Sequence, residues 1–263
     1  KTATLTPQPT PTLDPNLPPA CTEVGQRWVN PKDNGEMVCV PAGEFWMGAV
    51  EGDREVADNE KPGRFVYLDA YWVDRYEVTN GMYQRCVMSG GCTSPEQYRS
   101  YSRDSYFGDV RYADFPVIFI DWNQAIAYCT WAGEMLPTEA QWEKAARGTN
   151  GNLYPWGNEV ATKNLANYDL YVSDTVEVGK YPNGASPYGA EDMAGNVWEW
   201  VADWYNDSYY HTGTLSNPPG PESGDSPVQR GGSWGFGAFF LRTSFRGDIP
   251  GVSPASGFRC ASK

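Results

Sequence analysis

The chain has 263 residues, a formal net charge of −13 at pH 7, and 11 tryptophans, 17 tyrosines and 28 glycines. This charge excludes most nucleic-acid and anionic membrane partners, which need clustered Lys and Arg, and it favours a cationic ligand or a divalent metal unless it serves only solubility. No apolar run reaches the roughly 20 residues of a membrane span, so we expect no membrane insertion.

The first segment of the chain differs in composition from the rest. Residues 1–20 are rich in Pro and Thr and carry few hydrophobic side chains. This composition predicts an extended linker with polyproline character, followed by one domain over residues 21–263. The linker would tether the domain to an upstream module or anchor, and an unattached tail is the alternative.

Short β-rich runs, separated by turn residues, recur along the domain. They predict strands within 38–48 on both sides of a turn, then over 64–68, 71–78, 197–201 and 257–261. The prevalence of Gly and aromatic residues over good helix formers indicates that regular structure is sparse.

Local capping signals predict three short helices, over 79–86, 121–133 and 138–147. In the third, Thr138 and Gln141 have the spacing of a capping box. The predicted fold class is therefore α+β, with two or three helices around small antiparallel sheets.

The six cysteines form an even set, which favours disulfides and an oxidising, extracellular compartment. Cys86 and Cys92 are close enough to staple a loop, and Cys21 and Cys39 flank a turn. Fifteen connectivities remain possible, as do buried free thiols. A zinc site is not expected, because the chain lacks a Cys-x2-Cys pair and its one histidine, His211, lies in a predicted loop.

Four blocks carry a resemblance to a known family: 136–143 (LPTEAQWE), 195–200 (GNVWEW), 230–236 (RGGSWGF) and 257–260 (GFRC). They resemble the formylglycine-generating enzyme (sulfatase-modifying factor) family, whose fold is a variant of the C-type lectin fold. The resemblance, which extends from Pro41 to Cys260, implies that fold with little regular secondary structure. It also implies a disulfide between Cys129 and Cys260.

The residues of the family's oxidative chemistry are missing. The oxidases carry two cysteines three and eight residues after the serine of Gly-Gly-Ser, and this chain has Phe236 and Leu241 there. Neither side chain can bind copper(I), which prefers thiolates. The iron-dependent sulfoxide synthases of the wider family need three histidines, and the chain has one. We therefore expect neither copper nor iron.

The resemblance also implies calcium bound by the run Asp192 to Glu199. Its ligands would be the side chains of Asp192 and Glu199 and the carbonyls of Gly195 and Val197, which are the oxygen donors that calcium prefers. The alternative is a tight turn with Glu199 in a buried hydrogen bond.

A second calcium site is less well matched. Asn167 and the carbonyl of Tyr168 correspond to a ligand pair of the family, and Asp174 with the carbonyl of Val176 would complete the site. An ordinary polar loop is the alternative at these positions.

Segment 234–256 lines the open substrate groove in the family, and it is the variable region of proteins diversified by retroelements. Here it offers aromatic residues among small ones, which indicates an exposed binding surface. The expected ligand-binding residues are Trp234, Gly235, Phe236, Gly237, Phe239, Phe240, Phe245, Asp248, Ile249 and Val252.

These observations favour a non-catalytic, extracellular module that binds a protein or peptide. A more specific form of this hypothesis is a variable protein diversified by a retroelement. One alternative is an enzyme that uses another chemistry in the same groove. A second alternative is a sensor domain appended to a signalling protein such as a kinase.

Overall fold

The computed structural model describes residues 17–249 and 251–263. Most of the predicted linker, residues 1–16, and Pro250 lie outside the described residues. In the described part the strands are β1 (Arg27–Val29), β2 (Glu36–Val40), β3 (Gly43–Met47), β4 (Arg64–Leu68), β5 (Tyr71–Asp74), β6 (Trp198–Trp204), β7 (Pro227–Arg230), β8 (Ser256–Phe258) and β9 (Ala261–Ser262). The α-helices are α1 (Asn80–Met88), α2 (Trp122–Ala132), α3 (Glu139–Arg147) and α4 (Tyr209–Thr212).

The strands form three small sheets. The first has the order β1-β2-β5-β9 and is antiparallel throughout, and β3 pairs with β4 in the second. In the third, β6 pairs antiparallel with β7 but parallel with β8. This parallel pair departs from the expected antiparallel sheets, because the long connection over 205–255 lets the chain return in the same direction.

Three helices follow the local signals of the sequence. Thr79 caps α1, and capping boxes begin α2 at Asp121 and α3 at Thr138. Gly133 ends α2 with a φ of 81°, a left-handed conformation that glycine adopts without a steric penalty. The α+β class is confirmed, and no helix of the described part is long and apolar enough to cross a membrane.

Three local predictions need correction. The strand predicted over 71–78 ends at Asp74, because its ladder with β2 ends there, at the Met37–Asp74 pair. The strand predicted over 257–261 is divided into β8 and β9, because β8 pairs with β6 whereas β9 pairs with β5 in another sheet. The loop predicted around His211 is the one-turn helix α4.

All six cysteines are paired, as Cys21–Cys39, Cys86–Cys92 and Cys129–Cys260. The third bond joins α2 to the chain between β8 and β9 across a sequence separation of 131 residues. It therefore fixes the last part of the chain to the helical side of the core.

Candidate functional site: an aromatic groove and an acidic loop

Half-buried aromatic residues form an open groove on the segment after β7. The aromatic groove has a volume of about 440 Å³ and is lined mainly by Phe236, Phe240, Phe245, Asp248 and Ile249. Its apolar members pack on a buried cluster of Trp198, Trp234 and Ala255. The groove thus presents apolar surface to solvent on a packed base, which is typical of a binding surface.

The rings of the aromatic groove contact one another edge to face. The centroid of Phe240 lies 5.0 Å from those of both Phe236 and Phe245, and Phe236 lies 5.3 Å from Trp198. Edge-to-face contacts of this kind are each worth about 0.5–1.5 kcal/mol beyond burial. The groove is therefore preformed, and a ligand would not need to order these side chains.

A buried arginine holds the backbone beneath the groove. Arg230 donates to the carbonyl oxygens of Thr243 at 2.7 Å and Ser244 at 3.0 Å, and also to that of Phe245. Its guanidinium pairs with Glu143 of α3 at 2.5 Å. The aromatic segment is thereby anchored to the most buried helix of the fold.

Two further arginines of the segment point into the protein. Arg242 contacts Glu60 with two hydrogen bonds of 2.7 and 2.8 Å and pairs with Asp53 at 2.8 Å. Arg246 binds both oxygens of Glu139, at 2.7 and 2.8 Å. These buried pairs satisfy the charges of the segment internally, so its exposed face is mostly apolar.

The remaining predicted ligand-binding residues are not brought together in the groove. Trp234 is 5% exposed and belongs to the supporting cluster, and Phe239 stacks on Arg242 at 4.6 Å. Gly235, Gly237 and Val252 are at least partly exposed but do not line the groove. Alternation along the sequence could not separate these roles, because the segment is a series of turns.

The two positions that carry cysteine in the family's oxidases have different surroundings. Phe236 lines the groove, whereas Leu241 is fully buried with Ala166, Tyr168 and Ala194. An apolar residue at 241 therefore fills core volume.

The predicted calcium loop has an unusual backbone. Asp192 and Asn196 have φ of 57° and 58°, and Gly195 has 84°. A Cβ atom at Gly195 would lie 2.4 Å from the carbonyl oxygen of Asn167, so only glycine fits this close approach. The structure thus brings the backbone at Gly195 against that of Asn167, a residue of the second predicted site.

Three buried carboxylates, those of Glu77, Asp192 and Glu199, lie near this loop. Both oxygens of Glu199 bind Arg259 at 2.7 Å, and one also accepts from the indole of Trp142 at 2.7 Å. Burial raises the pKa of Asp192 to about 6, although Gly179 N–H donates to it at 2.6 Å. A metal ion at this place would share Glu199 with Arg259.

Glu77 is the third of these carboxylates, and sequence reasoning missed it. Its oxygens accept from Asn196 Nδ2 at 2.7 Å and from Val197 N at 3.1 Å. Burial raises the pKa of Glu77 well above its ordinary value, and the nearby Asp192 and Glu199 raise it further. No local motif marks Glu77, because its partners are about 120 residues away.

The residues of the second predicted calcium site differ in whether their oxygens are already paired. Oδ1 of Asn167 is buried and has no hydrogen-bond partner among the described residues, so it is available to a cation. Asp174 instead lies 3.1 Å from Arg103. Burial raises the pKa of Asp174, but hydrogen bonds from Ser100 and Ser102 outweigh it and hold the pKa below its ordinary value.

The Asp192 end of the loop is rich in buried negative charge. Glu77, Asp192 and Glu199 bring three formal negative charges into the interior, and Arg259 supplies one positive charge. Carboxylate, amide and carbonyl oxygens are the ligands that calcium takes. Among the described residues, however, the oxygens of these three carboxylates do not all come within 4.8 Å of one another, and Asp174 is already paired with Arg103.

Comparison with known proteins gives a consistent result. The model of the sulfatase-modifying factor enzyme 1-like domain matches residues 23–263. The formylglycine-generating enzyme of Bos taurus is 33% identical over 88% of this chain and 76% of its own. The serine/threonine-protein kinase pkn1 of Chlamydia caviae is 37% identical over 86% of this chain, which corresponds to 38% of the kinase.

Two solved structures share the fold over nearly their whole length. PvdO from Pseudomonas aeruginosa superposes with a TM-score of 0.78 and 27% identity, covering 92% of this chain and 99% of its own. Treponema denticola variable protein 1 superposes with a TM-score of 0.70 and 26% identity, covering 90% of this chain and 98% of its own. The fold expected from the four sequence blocks is confirmed.

Proposed function

Because the chain belongs to the family of sulfatase-modifying factor enzyme 1-like domains, we propose that it is a non-catalytic member whose aromatic groove binds a protein or peptide. The proposal rests mainly on the residue at position 236. A phenylalanine that lines an open groove stands where the family's oxidases have a cysteine. The residue offers contact area to a ligand and has no redox chemistry.

Cysteine chemistry has no other source in the chain. All six cysteines form disulfides, and Leu241, at the second oxidase position, is a core residue. A thiolate is the nucleophile and metal ligand in such chemistry, and a disulfide sulfur is neither. These facts support a binding role over formylglycine formation.

The groove also indicates the chemistry of its ligand. Its rings would accept apolar side chains, and exposed Asp248 is the acidic residue of its lining. A basic side chain could pack its stem on Phe240 or Phe245 and direct its charge to Asp248. With a net charge of −13, the chain would attract such a ligand from a distance.

Calcium is proposed as a structural ion beside this surface. The side chains of Asp192 and Glu199 and the carbonyls of Gly195 and Val197 would hold it, with the carboxylate of Glu77 nearby. Bound there, calcium would neutralise buried carboxylates and fix the loop against which Trp234 is hydrogen-bonded. The three disulfides support an extracellular location.

A second candidate is a sensor domain of a signalling protein. It is favoured by the relation to the Chlamydia caviae kinase, in which the matching part is 38% of the length. The similarity to a variable protein from Treponema denticola favours the binding module itself. Both candidates use the groove for recognition, and they differ in what the recognition controls.

The test is selection of phage-displayed random peptides on immobilised protein. We expect enriched peptides that combine apolar residues with Lys or Arg, and that lose binding to Phe240→Ala. The matched control is Phe65→Ala, an exposed phenylalanine of β4 outside the groove. Equal binding of the peptides to the wild type, Phe240→Ala and Phe65→Ala would refute the assignment of the groove as the binding surface. Formation of an aldehyde on a sulfatase-type cysteine peptide would refute the non-catalytic assignment.

A further inference from the structure

A second group of buried carboxylates lies away from the groove, where β5 meets the end of α2. Asp33, Asp74 and Glu134 are 0%, 2% and 8% exposed. Other buried acids, such as Glu60 and Glu139, are paired with arginines. Among the described residues, none of these three has an ion-pair partner. Such carboxylates must be neutralised by another means.

Two oxygens of this group also lack hydrogen bonds. Oδ2 of Asp74 accepts from Cys260 N at 2.8 Å, and Oε1 of Glu134 accepts from Asn30 Nδ2 at 2.7 Å. The other oxygens, Asp74 Oδ1 and Glu134 Oε2, are buried and unpartnered among the described residues. Ligand atoms of Asp74, Glu134 and Cys260 lie within 4.8 Å of one another.

The neighbouring charged groups do not neutralise Asp74 and Glu134. Asp33 is itself satisfied, because Gly35 N and the hydroxyl of Tyr128 donate to its two oxygens at 2.8 and 2.7 Å. Arg259 directs Nε and Nη2 to Glu199, and its Nη1 donates to the backbone carbonyls of Asp74 and Arg75, not to a carboxylate.

The two other positively charged side chains in this region, Arg85 and Lys32, also contact other groups. Arg85 donates to the backbone carbonyl of Asp33, and Lys32 lies over the ring of Trp131 at 4.9 Å. Within the described residues, no positive side chain is therefore directed at Asp74 Oδ1 or Glu134 Oε2.

A divalent metal does not fit this place. The third atom of the group is the sulfur of Cys260, which is bonded to Cys129 and is not a thiolate. Two carboxylate oxygens remain, whereas calcium takes six to eight oxygen ligands. A single proton needs only two oxygens, one as donor and one as acceptor.

We propose that Asp74 and Glu134 bind one proton between them, forming a buried carboxylic acid–carboxylate pair that joins β5 to the end of α2 beside the Cys129–Cys260 disulfide. The shared proton satisfies both unpartnered oxygens and removes one of the buried charges. Burial raises the pKa of both groups, and the repulsion of Asp74 adds to that of Glu134.

The pair makes stability depend on pH. The folded pair keeps its shared proton up to a raised pKa, so the native state binds one more proton than the unfolded state between the ordinary carboxyl pKa, about 4, and the raised pKa of the pair. In this window the unfolding equilibrium constant increases about ten-fold per pH unit. The pair therefore stabilises the acidic form and weakens the fold as pH rises.

The experiment compares urea unfolding of the wild type, Glu134→Gln and the exposed control Glu44→Gln from pH 5 to 8, with chelator. The side-chain amide introduced by Glu134→Gln donates a hydrogen bond to Asp74 without a titrating proton. We expect the free energy of unfolding of the wild type and of Glu44→Gln to fall more steeply with pH than that of Glu134→Gln. The difference in slope should correspond to one proton, a factor of about ten in the unfolding equilibrium constant per pH unit. Glu134→Gln should therefore be the most stable of the three at pH 8.

Parallel pH profiles for all three proteins would overturn the proposal. So would a stabilisation by calcium at pH 8 that Glu134→Gln abolishes, since this would show a metal ion in place of the proton. Should Glu134→Gln not fold, infrared spectra decide the question on the wild type and Asp74→Asn. The wild type is expected to show at pH 7 a carbonyl stretch of a protonated carboxylic acid that Asp74→Asn lacks, and the same band intensity in both proteins would equally overturn the proposal.

Discussion

Removal of the Cys129–Cys260 disulfide should cost far more stability than removal of the Cys86–Cys92 disulfide. The two bonds span sequence separations of 131 and 6 residues. In the chain-entropy model the longer loop contributes about 5 kcal/mol and the shorter about 2 kcal/mol. The difference of about 3 kcal/mol arises in the unfolded chain, where the long loop removes more conformations.

The assay is urea unfolding of the wild type and of the double alanine variants at each bond. Both variants lose two sulfur atoms, and Cys86, Cys129 and Cys260 are fully buried, so the packing losses are similar in kind. The Cys129→Ala/Cys260→Ala variant should have the lower midpoint at all pH values. Equal losses, or a larger loss for the short loop, would show that native packing and not loop closure determines the stabilisation.

Three further outcomes follow from the site. Arg242→Met leaves Glu60 buried without its partner and should lower the free energy of unfolding by about 3–5 kcal/mol, whereas Arg111→Met, at an exposed pair, should leave the urea midpoint unchanged. Calcium should raise the melting temperature of the wild type but not of Asp192→Ala, because the ion binds only the native state and the variant lacks a ligand oxygen; an equal rise in both would place the ion elsewhere. In chelator, the raised pKa of Asp192, about 6, means that this group lowers wild-type stability as pH rises from about 4 to about 6, so Asp192→Asn should lose less stability than the wild type over this range; an equal loss in the variant would assign the difference to another group.

Local signals explain what the sequence predicted well. The capping residues of α1, α2 and α3 act within three or four positions, so they are visible without the fold. The disulfide Cys86–Cys92 is likewise nearly local. The long-range pair Cys129–Cys260 came from the family resemblance, since spacing alone leaves the connectivity open.

The supporting charges of the site could not be predicted. Arg242 and Glu60 are separated by 182 positions, and Arg246 and Glu139 by 107. Neither pairing follows from hydrophobic periodicity, which reports only which side of an element is buried. The role of Glu77 at the acidic loop was missed for the same reason.

Segment 234–256 shows where a composition argument is incomplete. Its phenylalanines indicated an exposed patch, and the structure divides the segment by the direction of each side chain. Phe236, Phe240 and Phe245 line the groove, while Leu241 is buried. This division depends on the turns that Arg230 holds in place, and the sequence has no pattern that specifies them.

The dissociation constant of a selected peptide for the wild type, Phe240→Ala and Phe65→Ala tests the central claim most directly. Truncation of an aromatic anchor at the centre of a contact typically costs about 2 kcal/mol or more, which is a loss of affinity of about 30-fold. We predict this loss for Phe240→Ala and unchanged affinity for Phe65→Ala, with both variants folded by their unfolding curves. Unchanged affinity for Phe240→Ala would contradict the assignment of the aromatic groove as the binding surface.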